Sequence, residues 1–410
     1  MNSTVNANRL FYGSCFALIT TAFSFSIRAG ILPQLGTEFG LSAEQLGYIN
    51  QMWFLGFPLS MVVGGLVYYS VGPRIIMQVA FLCHALGILL TIYPEVLGGY
   101  TGLLVSTFLI GVGNGCTEAA CNPMIADTYS GVQMNKMLNR FHMWFPGGIV
   151  IGALVSKFMT DAGLSWQAQI WVILLPTLVY AYLFWGQAFP KPKVAASASL
   201  SENIKAMFSP LFLFMLACMA LTAISEFGPQ QWTGLIMSKS GASPMIILAL
   251  VTGLMAVMRY FAGPVVHSLN QTGVLLGSAV LAAIGIYLFS SQTGAMTYVA
   301  AVFFAMGVAY FWPVMVGFVA ENVPESGALG MSVIGGMGMF SSSIFQPIIG
   351  RWIDSANTEL AATGLTGDEL ELAAGQATLQ SMVTFPAILI VAFTLLYFYM
   401  KGRKKSVATA

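Results

Sequence analysis

Apolar runs of about 20 residues recur along nearly the whole chain, and no other feature limits the fold as strongly. A helix needs roughly 20 apolar residues to cross about 30 Å of hydrocarbon. Twelve stretches qualify: residues 10–34, 45–70, 74–94, 99–126, 137–160 and 166–189, then 208–236, 243–267, 272–291, 295–320, 328–353 and 378–401. The expected fold class is therefore all-α, an integral membrane protein of twelve transmembrane helices. Composition excludes the soluble alternative. Of 410 residues, 57% are hydrophobic and 8% charged, against about 25% charged in a soluble domain. A net charge of +1 gives no electrostatic footprint for nucleic acid. Cys15, Cys83, Cys116, Cys121 and Cys218 all fall in apolar runs without a metal-ligand spacing, so they read as small buried side chains. Residues 1–9 carry one basic residue and lead into a run too long for a signal peptide, which predicts an uncleaved first span.

The longest polar stretch in the middle of the chain, residues 190–207, predicts a linker between a six-helix half at 1–189 and a second at 208–410. An even number of spans places both termini on one side. Eleven basic residues collect there (Arg9, Arg74, Lys136, Arg140, Lys191, Lys193, Lys205, Lys401, Arg403, Lys404 and Lys405), against Lys157, Lys239 and Arg351 opposite. That bias predicts cytoplasmic termini in the cell membrane. The last outer loop is acidic, with room for a short helix. The halves also read as a repeat. Ile27-Arg28-Ala29-Gly30 and Ser225-Glu226-Phe227-Gly228 hold the same place in the first helix of each half. On this basis Arg28 and Glu226 are expected to face each other at similar depth. Gly40-Leu41-Ser42 and Gly241-Ala242-Ser243 lead into the next helix, with Ser42 and Gln45 as a capping box and Pro244 at a first helical position. Parallel six-helix repeats with a midplane site are a known transporter architecture.

Four charged residues lie within the spans: Arg28, Glu118, Glu226 and Arg259. Each costs about 2.5–3.5 kcal/mol at the bilayer centre, so they should face a cavity or one another. They either form salt bridges that hold the bundle or bind substrate and ion. Glu118 and Asn122 are four residues apart on one helix face, and Pro123 frees a carbonyl near Ala119. A carboxylate, an amide and a carbonyl suit a hydroxylated ligand or a proton. The preceding glycines, Gly111, Gly113 and Gly115, follow no strand and read as small residues that bring helices close. In the seventh span, Glu226, Gln230, Gln231 and Trp232 offer the amides and aromatic face of a sugar or nucleoside pocket. Gly228 and Pro229 should locally break or kink that helix. The alternative there is a kinked gating helix with Trp232 in the interfacial aromatic belt. Asn50, Gln51, Trp53, Asn139, His142, Trp144, Pro146, Tyr310, Trp312, Ser341, Ser342, Ser343 and Gln346 are lesser candidates. His84 has no polar neighbour on its own helix face and His267 sits at a helix end, so both read as packing.

Span count, central linker and paired halves together resemble the major facilitator superfamily over essentially the whole chain. Thr117-Glu118-Ala119-Ala120-Cys121-Asn122-Pro123 is similar to the fourth-helix Glu-x-x-x-Asn-Pro segment of its fucose/glucose/galactose:cation symporter branch. The segment from Asn139 through His142 to Gly148 resembles that branch's fifth-helix pattern, and Glu226 with Trp232 its seventh. There are departures. In Gly65-Leu66-Val67-Tyr68-Tyr69-Ser70-Val71-Gly72-Pro73-Arg74, Tyr69 stands where the superfamily's loop carries Asp, and Gly263-Pro264-Val265-Val266-His267 is equally eroded. Arg28 stands where proton-coupled sugar members can carry a first-helix carboxylate, which leaves Glu118 or Glu226 to couple.

The resemblance implies a secondary active transporter and no enzyme. The expected activity is movement of a small polar, sugar-like solute by alternating access in proton-coupled symport, with sodium as the other candidate ion. The expected residues are Arg28, Asn50, Gln51, Glu118, Asn122, His142, Glu226, Gln230, Gln231, Trp232, Arg259, Tyr310, Trp312 and Gln346. No cofactor, metal or nucleic acid is expected, and the chain is expected to work as a monomer in the bilayer. The alternatives are a transporter of nucleosides or sugar acids, sodium-coupled or uniporting, and a non-transporting membrane sensor.

Overall fold

The computed structural model describes residues 5–191 and 200–408. Helices account for almost all of them, in two compact units: Met1–Ala196 with Gln346–Arg351, and Ser197–Phe345 with Trp352–Ala410. The first unit holds α1 (Ala7–Phe39), α2 (Ala43–Ile92), α3 (Tyr100–Thr128), α4 (Gly131–His142), α5 (Trp144–Asp161) and α6 (Trp166–Phe184). The rest of the chain forms α7 (Leu200–Met207), α8 (Pro210–Ile236), α9 (Pro244–Tyr260), α10 (Ala262–Phe289), α11 (Met296–Val308), α12 (Phe311–Asn322), α13 (Gly327–Ala361), α14 (Gly367–Met382) and α15 (Thr384–Ala408). Ten of the helical stretches are long and apolar enough to cross a bilayer; α2 is long enough for two crossings, and α9 is a shorter apolar helix. The protein is an integral membrane protein, and the twelve expected spans are present.

Several boundaries differ from the sequence expectation. Spans two and three form one 50-residue helix with a single break at Gly72. Span five is interrupted at Met143 and span ten between Val308 and Phe311. Part of the expected linker is helical, as α7, whereas residues 192–199, with Lys193, lie outside the described residues. Much of the expected acidic outer loop is helix, because α13 runs on to Ala361 and α14 begins at Gly367. Asp368 and Glu369 occupy the first turn of α14, where acids favour a helix N-terminus. Lys239, in the loop after α8, meets Asp368 at 2.7 Å, and that contact raises the lysine's pKa.

Caps and small residues set these elements. Ser42 and Gln45 form the capping box in full. Pro244 stands at the first position of α9, but Ser243 makes no side-chain cap bond. In the first unit α2 packs along α3, and α1 lies against α5 and α6. Gly111 and Gly115 face the backbone carbonyls of Trp53 and Phe57 so closely that a Cβ at either position would collide with them. Lipid tails are as apolar as leucine and do not drive helices together, so this small-residue contact carries the packing. Leu66, Leu175, Val391 and Leu395 are exposed on the outward faces, as lipid contact requires.

The repeat is visible in the backbone. α2 breaks at Gly72 (φ 77°, ψ 164°) and α10 at Asn270 (φ 54°, ψ 168°). Each break comes seven residues after a glycine, Gly65 and Gly263. This conformation is close to glycine-only territory and costs about 1–3 kcal/mol elsewhere. Asn270 is held in it by its own amide, whose Oδ1 accepts from the Thr272 hydroxyl (2.7 Å) and the Gly273 N–H (3.1 Å). Gly72→Ala should therefore lower the melting temperature of the detergent-solubilised protein by the equivalent of about 1–3 kcal/mol. Gly65→Ala, a helical position facing open space, should leave it unchanged. Equal melting temperatures for the two variants would show that the break carries no strain.

Candidate functional site

In the first unit, Arg28 on α1 is buried, and its Nε donates to Asn50 Oδ1 on α2 at 2.9 Å. Its guanidinium carbon lies 5.0 Å from the centre of the Trp53 ring, within range of a cation–π interaction. The other end of the Asn50 amide, Nδ2, is buried without a hydrogen-bond partner. Gln51 follows it, half-buried. Glu118 and Asn122 share a face of α3 as their spacing requires. Asn122 Nδ2 donates to Glu118 Oε2 at 2.5 Å and to the Glu118 carbonyl at 3.1 Å. Both are half-buried, in contrast to Thr117, Ala119 and Ala120 beside them. His142, at the end of α4, is exposed with its ring against Phe141.

In the second unit, Glu226, Gln230, Gln231 and Trp232 are all buried along α8. The interfacial-belt alternative for Trp232 is thereby excluded: its ring is fully enclosed and its Nε1 has no hydrogen-bond partner. Of the expected break or kink at Gly228 and Pro229, the break is absent. Proline removes only the backbone bond to the Ser225 carbonyl, and α8 continues helically on both sides. Arg259, in the last turn of α9, is 3.7 Å from Glu226 Oε1, and its Nε donates to the Ala309 carbonyl at 2.8 Å. Ala309 lies in the interruption between α11 and α12. Tyr310 answers from the same place, its hydroxyl donating to the Met258 carbonyl at 3.1 Å. Trp312 packs its ring over Gly335 and Gly338 of α13. Further along α13, in the stretch that belongs to the first unit, Gln346 is buried with an unpartnered Oε1. Arg28 and Glu226, expected to face each other, each have a partner within their own unit, Asn50 and Arg259.

His84 packs in the core as expected, but it also has polar partners on other helices. Its Nδ1 lies 2.9 Å from the Tyr180 hydroxyl on α6 and its Nε2 lies 2.9 Å from Asn114 Oδ1 on α3. Asn114 continues to Ser24 of α1 at 3.4 Å, and Ser24 accepts the Trp53 indole N–H at 3.0 Å. Ser24, Asn114 and Tyr180 were also overlooked. Each partner comes from a different helix, so no pattern on the His84 helix could reveal them. The available signal was Gly113, whose missing side chain makes the seat for the His84 ring. Near the eroded loop pattern, Tyr68 donates to Asp127 Oδ2 at 2.7 Å. Arg74 is engaged by the Gln187 carbonyl and the Phe189 ring.

A break in each unit at the same position thus goes with buried polar residues, on α1 and α2 in the first and on α8 in the second. The family model of the Major Facilitator Superfamily matches residues 14–347, and the chain belongs to that family. Among curated relatives, the chain is 25% identical over 181 residues to a hexuronate transporter of Bacillus subtilis, covering 43% of this chain and 41% of that one. It is 26% identical over 155 residues to the L-fucose-proton symporter of Escherichia coli, a distant homologue, covering 38% and 35%. The chain thus spans less than half the length of these two relatives. Solved structures agree in fold along nearly the whole chain. A nucleoside transporter superposes with TM-score 0.77 at 12% identity, covering 95% of this chain and 99% of that one. A D-xylose-proton symporter superposes with TM-score 0.75 at 14% identity, covering 94% and 96%.

The Glu226–Arg259 contact makes a stability prediction. Removing one member of a fully buried pair costs about 3–5 kcal/mol, because the other charge is left uncompensated. Here Glu226 is buried and Arg259 half-buried, so each loss should fall below that range. Glu226→Gln and Arg259→Gln should each lower the melting temperature, and the double variant should be more stable than the sum of the two losses implies. Strictly additive losses in a thermal double-mutant cycle would show that the pair does not interact.

Proposed function

We propose that this protein is a secondary active transporter that moves a sugar-like solute across the cell membrane by alternating access, in symport with protons. The observation that carries this reading is where unpartnered polar atoms occur. Among the described residues, six buried side-chain atoms lack a hydrogen-bond partner, and three of these belong to candidate residues: Asn50 Nδ2, Trp232 Nε1 and Gln346 Oε1. Such atoms cost about 1–3 kcal/mol each and call for a partner. Each of these atoms suits a hydroxyl group, which accepts and donates alike. The xylose-proton and fucose-proton symporters among the similar proteins support the same solute class and ion. A second reading, a sugar acid, draws on the Arg28 guanidinium over Trp53 and on the hexuronate relative.

Glu118 is the proposed proton carrier. It is half-buried and hydrogen-bonded through Asn122, so it has both access and a fixed orientation. Glu118→Gln keeps the shape but cannot exchange a proton. Reconstituted in proteoliposomes, that variant should retain counterflow exchange of the transported sugar and lose accumulation driven by a proton gradient. Accumulation with unaltered pH dependence would remove Glu118 from the coupling step and pass it to Glu226 or to sodium.

Orientation is part of the proposal, with both termini cytoplasmic. A cysteine at Ser197, which lies outside the described residues, should react with impermeant thiol reagents only from the cytoplasmic side. One at Thr363, between α13 and α14, should react only from outside. The reverse labelling would invert the topology.

A further inference from the structure

The polar chain in the first unit has a direction. An indole N–H can only donate, so Trp53 takes one lone pair of the Ser24 hydroxyl. The hydroxyl hydrogen of Ser24 goes to the Thr21 carbonyl at 2.8 Å, a group that can only accept. What remains on Ser24 is a lone pair, so Asn114 must present its NH₂ there and its Oδ1 to His84. His84 Nε2 must then carry the proton, and in the neutral ring, the form that avoids an unpaired buried charge, Nδ1 accepts from Tyr180. Every bond from Tyr180 to Ser24 is thereby fixed in one sense, with His84 a neutral imidazole. All five side chains are at most 2% exposed. The chain ends beneath Arg28, whose guanidinium lies over the Trp53 ring and whose Nε is held by Asn50.

We infer that Tyr180, His84, Asn114 and Ser24 are positioning residues for the Arg28 end of the solute site. They fix the Trp53 indole plane on which the guanidinium rests, and so the direction in which Arg28 presents its donors to a hydroxyl or carboxylate group of the solute. This rests on the reading of Arg28 as a solute-binding residue. Two features set the arrangement apart from general helix glue. The chain joins α1, α2, α3 and α6 yet converges on a single ring. The His84 ring is also seated against Gly113, where a methyl group would displace it. Tyr180→Phe removes only the far donor, at constant ring volume. His84 Nδ1 is then left a buried acceptor without its donor, and the ring loses its anchor on α6, so the bond it gives Asn114, and through Asn114 Ser24, is no longer held in position.

The test has a spectroscopic arm and a transport arm. With tryptophan side chains labelled with ¹⁵N, the Trp53 indole cross-peak is identified by its loss in Trp53→Phe. Ser24→Ala, which cuts the direct bond, sets the scale of the displacement. Tyr180→Phe is expected to displace the Trp53 cross-peak in the same direction, leaving those of the other seven tryptophans in place. Asn114→Leu is the second variant should Tyr180→Phe not fold. In proteoliposomes supplied with labelled L-fucose, D-xylose or D-glucuronate, Tyr180→Phe should raise the half-saturation concentration of the transported solute. An increase of roughly threefold or more, with little change in maximal rate, corresponds to one net hydrogen bond. An unmoved Trp53 cross-peak in the remote variant overturns the inference. A displaced cross-peak with unchanged half-saturation upholds the positioning of Trp53 and overturns the placement of Arg28 in the solute site.

Discussion

Hydrocarbon offers no hydrogen bonds, and that constraint governs everything polar in this chain. A backbone or side-chain group that enters the bilayer must find its partner inside the protein. The helical backbone solves the problem for the main chain. The side chains solve it by meeting across helices: Arg28 with Asn50, Glu226 with Arg259, and His84 with both Asn114 and Tyr180. These contacts require helix axes to run close together. The glycines of α3 supply that closeness, because Gly111 and Gly115 let α2 lie against bare backbone and Gly113 admits an imidazole ring. Small residues and polar residues are thus two halves of one solution.

How much of this could be read from sequence depends on the distance over which each feature is determined. The spans were legible because each is a local run of apolar residues, and so was the Ser42–Gln45 cap. The Glu118–Asn122 pair was legible because four residues along a helix fixes a shared face. Interruptions were not. Gly72 sits in a loop pattern and marks a break as expected, but the helix resumes at once, so two spans join as one element. Asn270 was invisible as a break, since its strained backbone is held by a cap formed only after the chain has turned. Pro229 does not break its helix: a residue that breaks isolated helices stays inside a continuous one when buried contacts enclose it.

For the site, chemistry was easier to read than partnership. Charged and amide side chains in apolar surroundings identify themselves, and the residues picked out on α8 are all buried. Which of them meet is decided by helix packing across long sequence separations. Arg259 was expected near other charged groups; Pro313 frees the Ala309 carbonyl four residues earlier, but that Arg259 fills it is decided by packing across fifty residues. His84 was judged by its own helix face, although its partners lie 30 and 96 residues away.

The reciprocal bonds at that interruption have a mechanical consequence. A gap between two helical segments can act as a swivel, and at this one Pro313 leaves the Ala309 carbonyl without its helical N–H. Here the Ala309 carbonyl is occupied by Arg259, and the Tyr310 hydroxyl holds the Met258 carbonyl in return. The swivel is pinned to the end of α9 at two points. The guanidinium that forms one pin is also the counter-charge of Glu226 on α8. Any change in the charge on that carboxylate is therefore a change in load on the joint, and three helices of the second unit answer to a single cation.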